Sequence, residues 1–378
     1  MSPAPQPLPL LTQMPPQEPV SSCAAPESYG DPQAQPFVLG EVATPAGPVP
    51  RVGGELSRAD RRSSLRVRLG FGRHDYKVAP GLYALNHPGP DSPVLVSANY
   101  KLSFDHLRQA ARDLDAWLLV LDTKGINVWC AAGKGTMGTA ELAARVGSSG
   151  LERVVEHRRL IVPQLAAPGV AAHTVKKLCG FSVTFGPVRA EDLPAFLAAG
   201  LKADPAMRRV SFSLAARALL VPVELTQALR TYLWLLPLLL LLAGLGGLAG
   251  GSGFWAGVAG PGLRAVGAML LALVAGAVAS PILLPWLPGR AFSIKGLWPG
   301  LAGAALLWAL WPVSFNAELA AWCLAVPALS SFLAMNFTGA STYTSLSGVK
   351  KEMRRAVPLQ IAATALGLGL WIYALLAG

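Results

Sequence analysis

Charge is scarce in this 378-residue chain. Asp, Glu, Lys and Arg make up 14% of it against 52% hydrophobic residues, which excludes an ordinary soluble enzyme along the whole length. Part of the chain is expected to meet lipid. Acidic residues are the scarcer sign, 21 against 32 basic, yet the basic residues form no long run and no recognisable nucleic-acid module, so a nucleic-acid partner is not expected. Cysteine is rare as well. Cys23, Cys130, Cys179 and Cys323 lie too far apart for a disulfide framework, which points to a reducing compartment. With no C-x-x-C pair, the chain is not expected to build a zinc ribbon or an iron-sulfur cluster of its own. The first residues lack the positive n-region and apolar core of a signal peptide.

Four regions follow from composition. Residues 1–52 are rich in Pro, Ala, Ser and Gln with almost no apolar periodicity, and are expected to be a disordered Pro-rich tail. Residues 53–200 alternate short apolar runs with helix-like segments. Val94-Leu-Val-Ser, Trp117-Leu-Leu-Val-Leu, Ile126-Asn-Val-Trp, Leu160-Ile-Val-Pro and Phe181-Ser-Val-Thr-Phe read as buried strands, and Phe104–Arg112 and Thr139–Val146 as helices, giving an α/β, Rossmann-like domain. Residues 201–230 read as a linker. Residues 231–378 hold five apolar stretches, near Tyr232–Leu248, Leu263–Leu284, Leu297–Leu310, Leu319–Met335 and Leu359–Leu376, read as an all-α transmembrane domain of five helices with a short third span. Gly246 with Gly250, and Gly247 with Gly251, have the spacing of close helix packing, or mark a Gly-rich helix end.

Basic loop residues set the orientation. Arg208, Arg209, Arg217 and Arg230 precede the first span, Arg290 and Lys295 follow the second, and Lys350, Lys351, Arg354 and Arg355 precede the fifth, with Arg264 the exception. The soluble domain is therefore expected in the cytoplasm and the C-terminus outside. The spans carry few ionisable residues, Glu318 lying near a helix end, which disfavours a transporter.

The chemistry concentrates in Asn127-Val-Trp-Cys-Ala-Ala-Gly-Lys-Gly-Thr-Met-Gly-Thr139. A P-loop fits poorly, because Val128 stands where the first Gly belongs and Gly135 where the magnesium-binding hydroxyl belongs. Gly133-Lys-Gly-Thr-Met-Gly138 formally fits a G-x-G-x-x-G dinucleotide turn, with Glu152 or Glu156 at ribose distance, and supports a membrane-tethered NAD-binding oxidoreductase. A metal-binding loop is the third reading: a thiolate at Cys130 suits a soft or borderline metal and gains from a helix start and from Lys134. Gly133, Gly135 and Gly138 would let the backbone approach a flat ring. A lone Cys is more often just buried, as is a Trp at a strand end such as Trp129. Thr136 and Thr139 are candidate helix caps.

The string Asn127–Lys134 resembles the Asn-(Val/Ile)-Trp-Cys-Ala-(Ala/Gly)-Gly-Lys signature of the mercury-methylating corrinoid proteins. Ser97-Ala-Asn-Tyr-Lys-Leu-Ser-Phe-Asp105, Pro163-Gln-Leu-Ala-Ala-Pro-Gly169 and Gly186-Pro-Val-Arg-Ala190 are similar to segments of the corrinoid domain of the large subunit of the corrinoid iron-sulfur protein. The resemblance covers about Pro93 to Phe196, together with the membrane tail. It implies a cobalamin-type corrinoid with its cobalt, and Cys130 as lower axial ligand and catalytic residue. Asn127, Trp129, Cys130, Ala131, Gly133, Lys134, Gly135, Thr136 and Gly138 would hold the cofactor, with Arg189 meeting a corrin amide or phosphate or forming a surface ion pair. His74, His87, His106, His157 and His173 all fail the Asp-x-His-x-x-Gly pattern that places a His below cobalt, Asp105-His106 coming nearest.

The implied activity is methyl transfer from methyl-cob(III)alamin to Hg(II), giving methylmercury, or else a non-catalytic corrinoid methyl carrier. A thiolate opposite the methyl group would labilise the cobalt-carbon bond. Implied partners are a ferredoxin-like reductant with two [4Fe-4S] clusters, a methyl-donor protein or methyltetrahydrofolate-linked methyltransferase, Hg(II) and membrane lipid. The implied location is the inner membrane of a prokaryote. Cys179 and Cys323 have no matching role and read as packing.

Overall fold

The computed structural model describes residues 29–311, 316–337 and 346–377, so the first part of the expected tail lies outside the described residues. The rest of that tail is not a tail. Strands β1 (Val38–Thr44) and β2 (Gly47–Val52) form an antiparallel hairpin that extends the sheet. Pro48 and Pro50 hid it. Strand β3 (Gly81–Leu85) reaches only Arg51 and Val52, so the stretch with the two prolines faces β1 alone and needs few ladder donors.

Beyond β3 come β4 (Val94–Ala98), β5 (Ala116–Leu121), β6 (Arg159–Val162) and β7 (Ser182–Phe185), and the seven strands run in the order β1-β2-β3-β5-β4-β6-β7. Strands β5, β4, β6 and β7 are mutually parallel, and β3 runs against β5. Every residue of β4 and β5 is buried, which explains their unbroken apolar runs. Helices α1 (Arg58–Arg68), α2 (Lys101–Ala110), α3 (Val128–Lys134), α4 (Thr139–Ser148), α5 (Ala172–Cys179) and α6 (Leu193–Ala198) cover the two faces. One apolar core includes Val96, Leu119, Met137, Leu142 and Phe181; the other includes Tyr83, Leu95, Phe104, Leu118 and Phe196.

The chain leaves β4 for β5 on one side and then crosses to β6 on the other. This reversal opens a crevice at the carboxyl ends of β4 and β6, where α/β sheets bind ligands.

A closed ring of four charges ties α1 to α2. Lys101 Nζ lies 2.7 Å from both Asp60 Oδ1 and Asp105 Oδ2, while Arg108 reaches Asp60 Oδ2 and Asp105 Oδ1 at 2.8 Å. Arg108 also donates to the Gly53 and Glu55 carbonyls, so the buried charges are both paired and hydrogen-bonded. Burial pushes the Asp60 carboxyl up, but Lys101, Ser57 and Arg108 together outweigh it and hold Asp60 well below the usual carboxylate range.

The expected linker at 201–230 is corrected too. It carries α7 (Leu214–Ala218) and the start of α8 (Val221–Ala249), whose Pro222 suits a helical first turn. This start docks on the α/β domain, with the Arg230 guanidinium 5.7 Å from the Phe71 ring centroid and donating to the Gly70 carbonyl.

Helices α9 (Phe254–Gly257), α10 (Leu263–Leu273) and α11 (Ser280–Leu283) form one span joined by π-helical turns, followed by α12 (Phe292–Leu310), α13 (Ala317–Asn336) and α14 (Leu346–Ala377). Among the described residues four helices are long and apolar enough to cross a membrane: Leu214–Ala249, Phe254–Leu283, Ala317–Asn336 and Gly348–Ala377. That does not confirm the expected count of five. The short third stretch is a helix, α12, but Lys295, Pro299 and its glycines dilute its apolar character. Close packing at the Gly-rich end of α8 is real. A Cβ on Gly247 would stand 2.9 Å from Gly257 Cα, and one on Gly246 would stand 2.8 Å from Leu375 Cβ. Arg264 and Glu318 pair with each other at 2.6 Å.

Candidate functional site

The site begins with a turn after β5. Lys124 and Gly125 take positive φ of 59° and 71°, and buried Asn99 fixes the turn. Asn99 Oδ1 accepts from the Thr123 and Gly125 amides at 3.1 and 2.9 Å, and Thr123 Oγ1 lies 2.9 Å from the same oxygen and 2.7 Å from the Ile126 carbonyl. Asp122 accepts from the Lys124 amide and pairs with Lys124 Nζ at 2.8 Å. Burial pushes its carboxyl up, and the bonds from Lys124 and Tyr29 more than reverse that.

Ile126-Asn-Val-Trp is therefore not a strand. Asn127 is the N-cap of α3, its Oδ1 accepting from the Cys130 amide at 2.9 Å, so Cys130 sits in the first turn of a helix. An Asn after a tight turn starts a helix even where the next residues are β-prone.

Helix α3 ends at Gly135, φ 82°, and α4 starts from Gly138 as N-cap with no side-chain bond. The G-x-G-x-x-G reading fails here, because its glycines span the end of one helix and the start of another rather than a strand-to-helix turn. Thr139 does not cap α4 as expected. Its Oγ1 accepts from the Ala171 amide at 2.8 Å, tying α4 to the loop after β6. Gly169 in that loop lies so near the α3–α4 turn that a Cβ there would stand 2.3 Å from the Met137 carbonyl oxygen.

The crevice at the strand ends holds a cleft of about 430 Å³, within the size range of small-molecule sites. Asn127, Val128, Trp129 and Cys130 form one wall, and Leu95, Val96 and Ser97 of β4 with Ile161 and Val162 of β6 form the base. Pro163, the loop from Gly186 to Glu191, and His106 of α2 complete it, and Leu220 closes it from the segment leading into α8. Cys130 is half-buried.

Of the residues expected around a cofactor, Asn127, Trp129 and Cys130 line this cleft together. Ala131 packs into the core, Gly133, Lys134 and Gly135 are exposed at the other end of α3, and Thr136 and Gly138 lie in the following turn. Helix α3 carries the glycines away from the cleft. Exposed Arg189 lines the cleft and hydrogen-bonds the Ser211 hydroxyl rather than forming an ion pair. Cys179 ends α5, its thiol donating to the Val175 carbonyl.

Ser97, Pro163 and His106 belong to the cleft although none was expected to hold the cofactor. Ser97 and Pro163 had stood out only as the first residues of segments similar to a corrinoid domain, and His106 only as the histidine nearest to the Asp-x-His-x-x-Gly pattern. Burial and the Arg68 guanidinium, 3.0 Å from Nε2, hold the His106 pKa below its ordinary value. Since a guanidinium only donates, Nε2 accepts.

Residues 72–197 match the family model of the CO dehydrogenase/acetyl-CoA synthase delta subunit, CdhD. Curated relatives are gamma subunits of the acetyl-CoA decarbonylase/synthase complex. The Methanopyrus kandleri protein is 33% identical over 127 residues, 33% of this chain and 27% of its own. The Archaeoglobus fulgidus protein is 32% identical over 118 residues, 31% of this chain and 25% of its own. The Methanothermobacter thermautotrophicus protein is 30% identical over 127 residues, 33% of this chain and 27% of its own. The chain thus spans about a quarter of the length of these relatives. These findings overturn the resemblance to the mercury-methylating proteins, which rested on one short string, whereas the match runs from before β3 through α6. The β1–β2 hairpin and the apolar helices lie outside it.

That match is consistent with a cobalamin-type corrinoid cofactor. The residues of the cleft suit such a group. The walls are largely apolar, one edge is open, and a half-buried thiol on a short, pinned helix is a soft donor of the kind that would suit cobalt. Among the described residues no three His, Cys, Asp or Glu side chains gather to hold a metal ion. A metal here would have to bring most of its own ligands, as a corrin ring does.

Proposed function

We propose that the chain is a membrane-anchored corrinoid methyl carrier in which the Cys130 thiolate would ligate the cobalt. The observation that carries this is the placement of Cys130 on the wall of the strand-end cleft within the segment matching CdhD. A corrinoid, when bound, supplies a cobalt that accepts and releases a methyl group.

The chain's own residues do the rest. Asn127 holds the first turn of α3, and Asn99 with Thr123 holds the turn before it, so the thiol is carried on a preset backbone. Trp129 and Val128 give the wall an apolar surface beside Cys130, and Leu95, Val96, Ile161 and Val162 make the base apolar. His106 accepts from Arg68, and desolvation and the Arg68 charge hold its pKa below the ordinary value. Methyl donor and low-potential reductant are separate proteins in this reading, a ferredoxin-like partner among them. The four apolar helices anchor the chain in a cell membrane with the α/β domain on the cytoplasmic side, the side of the basic flanking residues.

The test is spectroscopic. In protein loaded with corrinoid, Cys130→Ala should retain cobalt at a similar ratio but lose the absorption signature of thiolate ligation, and Cys130→His should acquire that of a nitrogen ligand. An unchanged spectrum in Cys130→Ala refutes the assignment. Methyl transfer measured in parallel to a thiol and to soft metal ions identifies the acceptor.

A further inference from the structure

A second cavity lies among the apolar helices, far along the chain from the cleft. It is a groove of about 910 Å³ between α12, α13 and α14. Its mouth is at the end of the helices nearest the α/β domain, where Phe212 stacks on Phe337 with ring centroids 5.9 Å apart and Arg217 donates to the Ile282 carbonyl.

Three cations stand at that mouth: Arg290, Lys351 and Arg355. Among the described residues none of them is in an ion pair with a carboxylate. The nearby Glu352 accepts from the Ser293 amide at 2.6 Å, which orients it toward the start of α12. Away from the mouth the groove turns apolar, walled by Leu297 and Leu301 of α12, Leu324 of α13 and Leu359 of α14. Lys351, Arg355 and Leu359 recur every fourth residue, so one stripe of α14 passes from charge to hydrocarbon along the groove.

A buried polar group completes the site. Gln360 lines the groove at 8% exposure, and its Nε2 donates to Ser331 Oγ at 2.7 Å. The Ser331 hydroxyl donates in turn to the Ser293 carbonyl, so it can only accept from Gln360, which fixes the amide and leaves Oε1 with no donor.

We propose that this groove binds an anionic phospholipid of the surrounding leaflet, its phosphate among Arg290, Lys351 and Arg355 and an acyl chain along the apolar wall. The inference rests on the membrane-anchored reading above. Net positive charge at the mouth with hydrocarbon behind it selects an amphiphile with an anionic head over a neutral one.

The full chain is purified in detergent, placed in nanodiscs of mixed phosphatidylglycerol and phosphatidylcholine, and the lipid retained on release is counted by native mass spectrometry. Retention of phosphatidylglycerol over phosphatidylcholine is expected. Lys351→Gln/Arg355→Gln should lower it by roughly tenfold or more, whereas Lys350→Gln/Arg354→Gln, the same charge change on another face of α14, should stay within about twofold. Ala363→Trp, which fills the groove and spares the cations, should also lose the lipid. Absence of a preference overturns the proposal, as do equal losses in the two charge pairs, a neutral amphiphile as the retained species, or a second chain in place of lipid. Recovery of the protein from the soluble fraction without detergent would instead refute the membrane anchor, before any lipid is counted.

Discussion

Asn127→Ala tests how the thiol of Cys130 is held. The substitution removes the acceptor of the Cys130 amide at the start of a helix of seven residues, too short to stand on intrinsic propensity. What remains is the packing of Ala131 and Ala132, which are 0% and 5% exposed, against the domain core. Loss of an Asn cap costs about 1 kcal/mol, which makes local opening of α3 roughly fivefold more populated. Hydrogen exchange of the intact protein, resolved to the peptide carrying Ala131 to Lys134, should therefore quicken by about fivefold, while the β5 amides keep their protection. Asn127→Asp retains a capping oxygen and should exchange within about twofold of the native chain. Unaltered exchange in Asn127→Ala, or acceleration shared equally by β5, would refute the view that this one side chain sets the helix and its thiol.

Other expectations follow from the same geometry. Asp60→Asn leaves Lys101 and Arg108 sharing one carboxylate in a buried ring and should cost about 3–5 kcal/mol, read as an earlier urea midpoint for exchange protection in α1 and α2, with partial recovery in Asp60→Asn/Lys101→Met. Because the folded Asp60 pKa is depressed, its contribution is complete above the unfolded carboxylate value and is lost only as pH falls through the folded one. The ring should accordingly survive mild acid, and loss of α1–α2 protection near pH 5 would contradict it. His106 has the opposite proton balance from a salt-bridged imidazole. With its folded pKa lowered, stability is full above the unfolded value and declines as pH drops toward the folded one. Arg68→Gln should raise the His106 titration midpoint by NMR without fully restoring it, since burial is the larger cause; a stationary midpoint counts against the contact. Gly169→Ala forces a Cβ toward the Met137 carbonyl and should cost about 1–3 kcal/mol and weaken corrinoid retention, and a variant matching the native chain in both would show the loop free to yield.

Strands β4 and β5 were legible because burial on both faces writes itself as an almost uninterrupted apolar run, and α2 and α4 were near their observed limits for the converse reason, a one-sided stripe. The β1–β2 hairpin was not, since an edge strand such as β1 exposes much of its length and its partner carries two prolines. Helix α3 was misread as strand because Val128 and Trp129 favour extended backbone, and only the bond from the Cys130 amide to Asn127 decides the matter. At the site, Asn127, Trp129 and Cys130 stood out through the string Asn127–Lys134 that they share, not by residue type. His106, Ser97 and Pro163 join them only through the strand order, which brings segments from α2, β4 and β6 to one crevice and which no local pattern encodes. The glycines after Cys130 misled in the other direction: their spacing suggests a flat ligand, whereas Gly135 ends a helix and Gly138 starts the next.

Leu220 belongs to two parts of the fold at once. It lines the Cys130 cleft, and it is the residue from which α8 departs toward the apolar helices. A ligand that favours one tilt of α8 over another through Leu220 shifts that tilt, and reciprocity requires the tilt to alter the ligand's affinity by the same factor. In the membrane-anchored reading proposed above, the tilt of α8 and the occupancy of the cleft would be variables of one equilibrium, with Leu220 as one point where they meet.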